Sequence, residues 1–496
     1  MAMRKILLTL ISFVALAALV ACGNSNNSNP VPTAPTGGNS VGFSNSNLAG
    51  TYVFSGNGVN RTGNNFALLG AFTANGSGNI TSGYRNVYTD GSRAVLESVT
   101  GSYNVNQDGR GQVFLNGSSG QAIYQFVMQS PSSASFFQFS SGADATGRLQ
   151  LQSTVVAPSG TYIVRLDGED SSGNIYGAIG GIAISGTSIT GTIDQNDNGI
   201  LDNSTSAPLS ASGTLVATDS NGRGTLQLSI AGATHNFVYY FVSPSHIELI
   251  GTDGYSLHGY ADLQTSVSGS TAAFTGDQVF SLSGFNSNGA AVIETGRFTL
   301  GGGAVTNAVE DYQLGGNSSS SYFGAVTFTN GTYAASSNGR WTAQISGSQA
   351  SNLVGWQVSP QQSVLLAWNA SSTNAETGTL RAQNTTVTTA SITGPYAANL
   401  SGFNYNDPGY VELAGNLDAS GGSLNGTIDS QTPGYYNTNV AASGTYSIAT
   451  DGTGRSPNGN IAGVAVVIYT VDANTAYLIS SDNTRLYQGK MVSQLP

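Results

Sequence analysis

The sequence predicts an all-β protein with four tandem antiparallel domains of about eight strands each. First, four sequence landmarks recur in the same order with a period of about 110 to 118 residues. Second, apolar and polar residues alternate in segments such as Thr225–Ile230, which is the period of a strand with one buried and one wet face. Third, Asn-Gly and Asp-Gly pairs, which supply the positive φ of tight hairpin turns, recur throughout the chain. A sustained helical period is absent after residue 21.

Each repeat opens on a Gly-x-Tyr triplet or a degenerate copy, and carries a similar triplet near its middle. The opening triplets begin at Gly50, Gly160, Gly276 and Gly394, and the central ones begin at Gly101, Gly213, Gly331 and Gly444. A turn with an arginine follows each central triplet, and these arginines are Arg110, Arg223, Arg340 and Arg455. A Ser-Pro pair marks the first three repeats after that turn. The predicted domains are residues 48–157, 158–269, 270–389 and 390–496.

Eight short strands in about 110 residues suit either a small up-and-down barrel or a two-sheet sandwich. The two triplets also divide each repeat into halves, so an eight-bladed β-propeller is the alternative. The arginine turn occurs only in second halves, which favours the whole repeat as the structural unit.

The charge content limits the classes of function. The chain has 496 residues, with 15 basic and 26 acidic side chains and a net charge of −11. Charged residues make up 8% of the chain, against about 25% in an average soluble protein. A nucleic-acid partner is excluded, because phosphates require lysine and arginine.

The N-terminal sequence predicts an export signal and a membrane anchor. Arg4 and Lys5 precede an apolar run whose length is typical of a signal peptide, and the run ends in Leu19-Val20-Ala21-Cys22. This motif resembles the lipobox of bacterial lipoproteins. The resemblance implies a signal peptide over residues 1–21, a diacylglycerol thioether on Cys22 and an acylated amino group, such as a palmitate amide. Gly23 in place of an aspartate then favours the outer membrane.

Residues 22–47 are rich in Asn, Ser, Pro and Gly, so we expect a disordered tether after the lipidated cysteine. The whole chain resembles the glycine-rich tandem-repeat lipoproteins of soil bacteria. That resemblance implies an architecture and a location in the cell envelope, and no activity.

One loop has the pattern of a calcium ligand set. Asp194, Asn196, Asn198 and Asp202 lie at alternate or nearly alternate positions, as in the calcium loop of an EF-hand. Thr205 stands where that loop has a bidentate glutamate, so a plain hairpin loop is the alternative. Calcium is the one cofactor that the sequence indicates.

Aromatic and histidine residues cluster by repeat. The three tryptophans, Trp341, Trp356 and Trp368, fall in the third repeat and are candidate stacking surfaces for a sugar ring, with core packing as the alternative. The three histidines, His235, His246 and His258, fall in the second repeat and suit either a zinc site or ordinary strand positions. The recurring arginines predict a structural hydrogen-bonding role in each repeat.

Known catalytic motifs are absent from the sequence. Two pairs of adjacent acidic residues, Glu169-Asp170 and Glu310-Asp311, are not expected to act as dyads, because neighbours on a strand point to opposite faces.

The sequence therefore predicts a non-enzymatic, lipid-anchored surface protein that binds a polysaccharide or an envelope protein, with repetition favouring multivalent contact. The predicted solvent-exposed faces of the strands carry Ser, Thr, Asn and Gln, which favour a neutral ligand. Two alternatives stay open: a binder of apolar small molecules inside the barrels, and a glycan-active enzyme with two convergent carboxylates.

Overall fold

The computed structural model describes residues 41–496, with gaps at residues 61–62, 90–91, 139–142, 202–206, 287, 317, 329, 350–351, 369–373, 407–408 and 433–434. These residues belong to one compact unit. The predicted signal peptide, Cys22 and most of the predicted tether lie outside them. Within the described ranges, no helix is long and apolar enough to cross a bilayer. Two short 3-10 helices, Asn45–Asn47 and Thr389–Ser391, precede the first and fourth barrels.

The first two repeats each contain nine strands. Those of the first are β1 (Ala49–Asn60), β2 (Asn65–Asn75), β3 (Asn79–Thr89), β4 (Ser92–Ser98), β5 (Thr100–Val105), β6 (Arg110–Gly117), β7 (Gly120–Ser130), β8 (Ser133–Gln138) and β9 (Ala143–Leu151). Those of the second are β10 (Gly160–Glu169), β11 (Ile175–Ser185), β12 (Ser188–Asp197), β13 (Ile200–Leu201), β14 (Leu209–Val216), β15 (Arg223–Ile230), β16 (Ala233–Ser243), β17 (His246–Gly251) and β18 (His258–Leu263).

The third repeat has nine strands and the fourth has eight. Those of the third are β19 (Gly276–Asn286), β20 (Ala291–Gly301), β21 (Ala304–Leu314), β22 (Ser321–Phe328), β23 (Gly331–Ala335), β24 (Arg340–Ile345), β25 (Asn352–Ser359), β26 (Gln362–Trp368) and β27 (Asn374–Ala382). Those of the fourth are β28 (Gly394–Asn404), β29 (Gly409–Ser420), β30 (Ser423–Thr432), β31 (Tyr435–Thr445), β32 (Arg455–Ile461), β33 (Val464–Asp472), β34 (Thr475–Ser480) and β35 (Arg485–Ser493).

Antiparallel pairing closes eight strands of each repeat into a barrel. In the first repeat the wall runs β1-β2-β3-β5-β6-β7-β8-β9, and β9 returns to β1 with Leu151 opposite Tyr52. The extra strands β4, β13 and β22 pair beside the third strand of their barrel. The predicted all-β fold of four eight-stranded antiparallel domains is confirmed, in its barrel form. The propeller alternative is wrong, because both halves of a repeat share one closed wall.

The interior of each barrel is filled by its own side chains. Tyr52 and Phe54 of β1 point into the first barrel and pack in a cluster of buried aromatic and aliphatic residues. The other three barrels have corresponding apolar clusters. The barrels are therefore packed cores rather than hollow containers.

The strands differ in how many of their faces are buried. In β15 the predicted alternation holds, with Leu226 buried and Gln227 exposed. In β10, Tyr162 and Ile163 are both fully buried, because Ile163 points outward into a cluster shared with the third barrel. The prediction of one wet face is thus wrong for strands that face a neighbouring barrel.

The four barrels pack into a closed ring. Each barrel presents its first three strands to the sixth and seventh wall strands of the next barrel, through an apolar cluster at each seam. The seam between the fourth and first barrels places Ala397 and Ala414 against Val127 and Phe137. A head-to-tail interface that returns to its starting point gives a ring with approximate fourfold symmetry.

The recurring arginines hold the seams together. Each guanidinium reaches a side chain on the third strand of the preceding barrel: Arg223 donates to Asn86 at 3.3 Å, Arg340 to Asp194 at 2.7 Å, Arg455 to Asp311 at 2.7 Å and Arg110 to Asp429 at 2.8 Å. Their role is structural, as the sequence predicted, but it joins barrels instead of fixing loops within one repeat.

A glutamine after the last strand of every barrel forms a second seam contact. The side-chain amides of Gln152, Gln264, Gln383 and Gln494 each donate to two backbone carbonyls of the next barrel. Gln494 reaches the carbonyl oxygens of Asp108 at 3.1 Å and Met128 at 2.7 Å. The same pair of glutamine hydrogen bonds therefore joins the fourth barrel to the first barrel and joins each of the other barrels to the next one in the chain.

Candidate functional site

The ring encloses a central cavity of about 1690 Å³, and all four barrels contribute to its wall. The wall consists mainly of outward-pointing residues from the first and last strands of each barrel, and the first hairpins surround one end. Drug-sized ligands occupy pockets of about 300–1,000 Å³. This cavity is therefore large enough for a ligand of several sugar-sized units.

Two levels of side chains line the cavity beneath the hairpins. The upper level contains Asn57, Asp167, Ser283 and Ser401 on the first strands, with Thr146, His258, Thr377 and Gln488 beside them on the last strands. The lower level contains Ser55, Arg165, Ser281 and Asn399, with Arg148, Tyr260 and Lys490 beside three of them. One step further down, Val53 and its equivalents turn into the apolar seams. Hydroxyl, amide and charged groups thus line both levels of the wall.

Aromatic rings also line the cavity. Tyr260 and Tyr477 lie on its wall at the lower level, and Tyr405, Tyr410 and Tyr435 lie on the side of the fourth barrel. The hydroxyl groups of Tyr477 and Thr379 share a hydrogen bond of 3.0 Å across the seam between the third and fourth barrels. Tyrosine offers an apolar ring and a polar tip, which suits contact with a ligand that has both apolar and hydroxyl surfaces.

Arg148 of the first barrel is held by the second barrel. Its Nε lies 2.5 Å from Oε1 of Glu248, and its guanidinium lies 4.4 Å above the ring of Tyr260. Burial opposes ionisation of Glu248, but Arg148 and His246 outweigh it and lower the pKa of Glu248 to about 2. The pair is therefore ionised at neutral pH.

A second ion pair lies beside the next seam, and hydrogen bonds connect it to the third barrel. Arg165 lies 3.0 Å from Asp167 in the same strand, and it donates to the hydroxyl of Thr377 in the third barrel at 2.9 Å. Thr377 in turn donates to Asp167. These contacts fix Arg165 in the cavity wall with its charge balanced.

Lys490 is the basic residue of the wall that has no acidic partner among the described residues. It lies on β35 opposite Asn399 on one side and Tyr477 on the other. Burial, together with the positive charges of Arg148 and Arg381, lowers the pKa of Lys490 to about 8. Cationic groups from the first, third and fourth barrels therefore converge at this point.

Two carboxyl groups meet in the wall at the seam between the fourth and first barrels. Burial raises the pKa of Glu412 well above its usual range, and the nearby Asp144 adds to the rise. Asp144 accepts a hydrogen bond from Gln431. Both residues line the cavity, so it contains one carboxyl group with a raised pKa and one that accepts a hydrogen bond.

The structure places two of the predicted tryptophan sites away from solvent. Trp341 is 1% exposed in the core of the third barrel, and Trp356 is 2% exposed in the seam between the second and third barrels. Neither ring presents a face to a ligand, which corrects the predicted stacking role and matches the packing alternative. The side chain of Trp368 lies outside the described residues.

The predicted calcium loop belongs mostly to strand β12. The carboxylate of Asp194 accepts hydrogen bonds from Arg340 at 2.7 Å and from Nε1 of Trp356 at 2.8 Å, so a cation would have to compete with both. Asn196 donates to the carbonyl of Asn374 at 3.0 Å, and Asn198 has a turn conformation with φ of 52°. Asp202 lies outside the described residues, and the calcium site stays a prediction.

The three histidines of the second barrel have separate surroundings. His235 is buried beside Tyr255, His246 lies between Glu248 and Asp262, and His258 lines the cavity. Burial opposes the charged ring of His246, but Glu248 and Asp262 outweigh it and raise its pKa to about 9. Within the described part of the chain, no group of three His, Cys, Asp or Glu side chains could hold a metal ion.

The sequence did not single out the residues of the cavity wall. The sequence feature that could have identified them is a charged residue at an outward-facing position of the first or last strand of a repeat, such as Arg148, Arg165 or Lys490. The chain has only two lysines, Lys5 and Lys490, so a lysine within a strand is itself unusual here.

No protein-family model and no curated protein matches the sequence. Among solved structures, the chain is similar to intact Ap-TbpB with its N and C lobes, at 9% identity and a TM-score of 0.17, over 73% of this chain and 84% of that chain. A double mutant of Transferrin Binding Protein B from Haemophilus parasuis Hp5 matches at 10% identity and a TM-score of 0.17, over 73% and 84% of the two chains. The siderophore receptor PirA from Pseudomonas aeruginosa matches at 9% identity and a TM-score of 0.12, over 89% and 79%. Scores at this level carry no argument about function.

Proposed function

We propose that this protein is a lipid-anchored, non-enzymatic binding protein of the cell envelope, and that its ligand is a hydroxyl-rich glycan segment held in the central cavity. The observation that carries the proposal is the cavity of about 1690 Å³ shared by four barrels whose own interiors are filled. A large concave site with convergent polar groups is the usual place for a ligand.

The chemistry of the wall favours a glycan over an apolar molecule. Serine, threonine and asparagine side chains at both levels can exchange hydrogen bonds with sugar hydroxyls, and tyrosine rings offer flat apolar contact. The ring also changes the expected mode of binding. Four repeats that contribute to one cavity form one site per chain, whereas independent domains would form four.

A bulky side chain in the wall tests this site. Ser55 lies at the lower level of the cavity, so Ser55→Trp should weaken binding of any glycan that the wild-type protein binds by about tenfold or more, which is about 1.4 kcal/mol. Binding is measured by calorimetry with the best ligand from a screen of cell-wall and soil polysaccharides. Ser212→Trp is the control, because Ser212 is an exposed residue of β14 outside the cavity wall. Equal affinities of the two variants, or no glycan binding by folded protein, would sink the proposal.

The anchor has a separate test. We expect the wild-type chain to sediment with the outer-membrane fraction and to incorporate labelled palmitate. Cys22→Ser should abolish both, because it removes the acceptor of the lipid. Membrane association that persists in the variant would contradict anchoring through Cys22.

One observation favours a second candidate, a glycan-active enzyme. Burial raises the pKa of Glu412 well above its usual range, and Asp144 lies near it in the cavity wall. A glycosidase needs one acid and one carboxylate. Release of reducing ends from the bound glycan, abolished by Glu412→Gln, would establish this candidate in place of simple binding.

A further inference from the structure

The lower level of the central cavity carries more basic than acidic side chains, with Arg148, Arg165 and Lys490 against Glu248. Arg148 is paired with Glu248, and Arg165 is paired with Asp167. Lys490 forms no ion pair among the described residues, and Arg381 makes one contact there, a hydrogen bond of 3.4 Å to Gln362. The chain as a whole has a net charge of −11. The excess of positive charge is therefore confined to the lower level, because Asp144, Asp167, Glu169 and Glu412 line the cavity above it.

The acidic groups near the cavity do not supply the missing partner. Glu248 already binds Arg148 and His246, and Asp262 binds His246. On the side of the first and fourth barrels, Asp144 accepts a hydrogen bond from Gln431, and burial raises the pKa of Glu412 well above its usual range, which opposes its ionisation. The remaining lining carboxylate, Glu169, belongs to the first hairpin at the mouth.

The cations come from different barrels and are fixed by the fold. Lys490 belongs to the fourth barrel, Arg148 to the first and Arg381 to the third, so closure of the ring lets the charges of three barrels act on one another. Burial lowers the pKa of Lys490 to about 8, and the positive charges of Arg148 and Arg381 add to this shift. Enclosed like charges are costly unless a counter-charge joins them.

We propose that the lower level of the cavity is an anion subsite, in which Lys490, with Arg148 at the same level of the wall, binds a carboxylate or phosphate group of the ligand. This inference rests on the proposed glycan-binding function and narrows it from a neutral to an acidic ligand. The hydroxyl-lined level above would hold the sugar ring while Lys490 contacts its acidic group. The side chains of Asn399 and Tyr477, which flank Lys490, can donate further hydrogen bonds.

The first experiment compares acidic and neutral forms of the same ligand with the full-length chain. The probes are trigalacturonate and its methyl ester, and trehalose 6-phosphate and trehalose, so that the two pairs separate a carboxylate from a phosphate source. We expect the wild-type protein to prefer the acidic member of at least one pair by about tenfold, which is about 1.4 kcal/mol. Lys490→Met should reduce this preference to about twofold or less, whereas Lys490→Arg should retain it, because arginine keeps the charge.

Arg485→Gln is the charge-matched control. Arg485 pairs with Asp482 outside the cavity wall, so its loss should leave the preference unchanged. Equal binding of acidic and neutral forms by the wild-type protein would overturn the anion subsite and leave the glycan site standing. A preference that survives Lys490→Met would overturn the role of Lys490.

The second experiment does not depend on any glycan. Incorporated [13C]lysine gives signals from Lys5 and Lys490 alone, and the Lys490→Arg variant assigns them. Addition of inorganic phosphate should raise the pKa of Lys490 above its starting value of about 8, because a bound anion stabilises the ammonium group. If no glycan binds but phosphate shifts this signal, the proposed glycan function fails and the anion subsite holds. An unchanged titration of Lys490 in phosphate would overturn the subsite.

Discussion

At the scale of single residues, glycine at one repeated position lets the first and last strands of every barrel approach closely. A Cβ atom at Gly58, Gly168, Gly284 or Gly402 would overlap a backbone carbonyl oxygen of the facing segment. All four glycines lie in the cavity wall. Each of them follows Asn, Asp or Ser in the sequence, so a polar residue before glycine recurs at this position of every repeat. This pattern alone does not show which strand lies opposite the glycine.

Replacement of one such glycine should destabilise the protein. Gly284→Ala should lower the free energy of unfolding by about 1–3 kcal/mol, because the added methyl group meets the carbonyl oxygen of Ala375 in a strand that cannot move away. Urea denaturation measures the change. Gly301→Ala is the control, since its Cβ would meet nothing within 4 Å, and we expect a change within about 0.5 kcal/mol. Equal effects at the two positions would contradict the close approach.

The charged residues of the cavity mark the limit of single-residue prediction. Arg165 was recognisable as the polar position of an alternating strand. Its partner Thr377 is 212 residues away in sequence, and the cationic neighbours of Lys490 lie in two other barrels. A charge in a sequence gives no information about partners that only tertiary packing brings near.

At the scale of elements, the type and order of the strands and the eight strands of each barrel wall could be predicted, because period-2 alternation and glycine turns are local properties. The extra strands β4, β13 and β22 were not predicted. The faces that meet another barrel could not be predicted. Trp356 is an example. Its position on β25 is compatible with either a core or an exposed aromatic residue, and it is buried only because the second barrel covers it. The loop around Asp194 likewise has oxygen ligands in a calcium-like pattern, yet Arg340 of the next barrel binds the carboxylate of Asp194.

The seam arginines should differ in energetic importance. Arg340→Ala leaves the carboxylate of Asp194, which is 1% exposed, without its counter-charge, so we expect a loss of about 3–5 kcal/mol. Arg223 occupies the same position in the preceding seam but faces the neutral Asn86. Arg223→Ala should therefore cost only about 0.5–1.5 kcal/mol. Thermal unfolding compares the two variants, and a cost for Arg223→Ala as large as that for Arg340→Ala would rule out the buried-charge explanation.

At the scale of the whole molecule, four similar barrels surround one cavity because the same interface is used four times. The seams between consecutive repeats follow from their covalent linkage, but the seam between the fourth and first barrels does not. A hint of it is present in the sequence, because the fourth repeat carries a glutamine, Gln494, directly after its last strand, as the other three repeats do. Closure itself depends on the rotation between neighbouring barrels, and no local pattern encodes that angle.

Ring closure is tested most directly by the energetic coupling between Arg110 and Asp429, which lie 319 residues apart and meet at 2.8 Å across the final seam. The measurement is a double-mutant cycle of unfolding free energies with Arg110→Ala, Asp429→Asn and the double variant. A closed ring predicts a coupling energy of about 1–3 kcal/mol, as for contacting residues in one buried network. Additive effects, with a coupling energy below about 0.3 kcal/mol, would show that the first and fourth barrels do not meet, and the central cavity would not exist as one site.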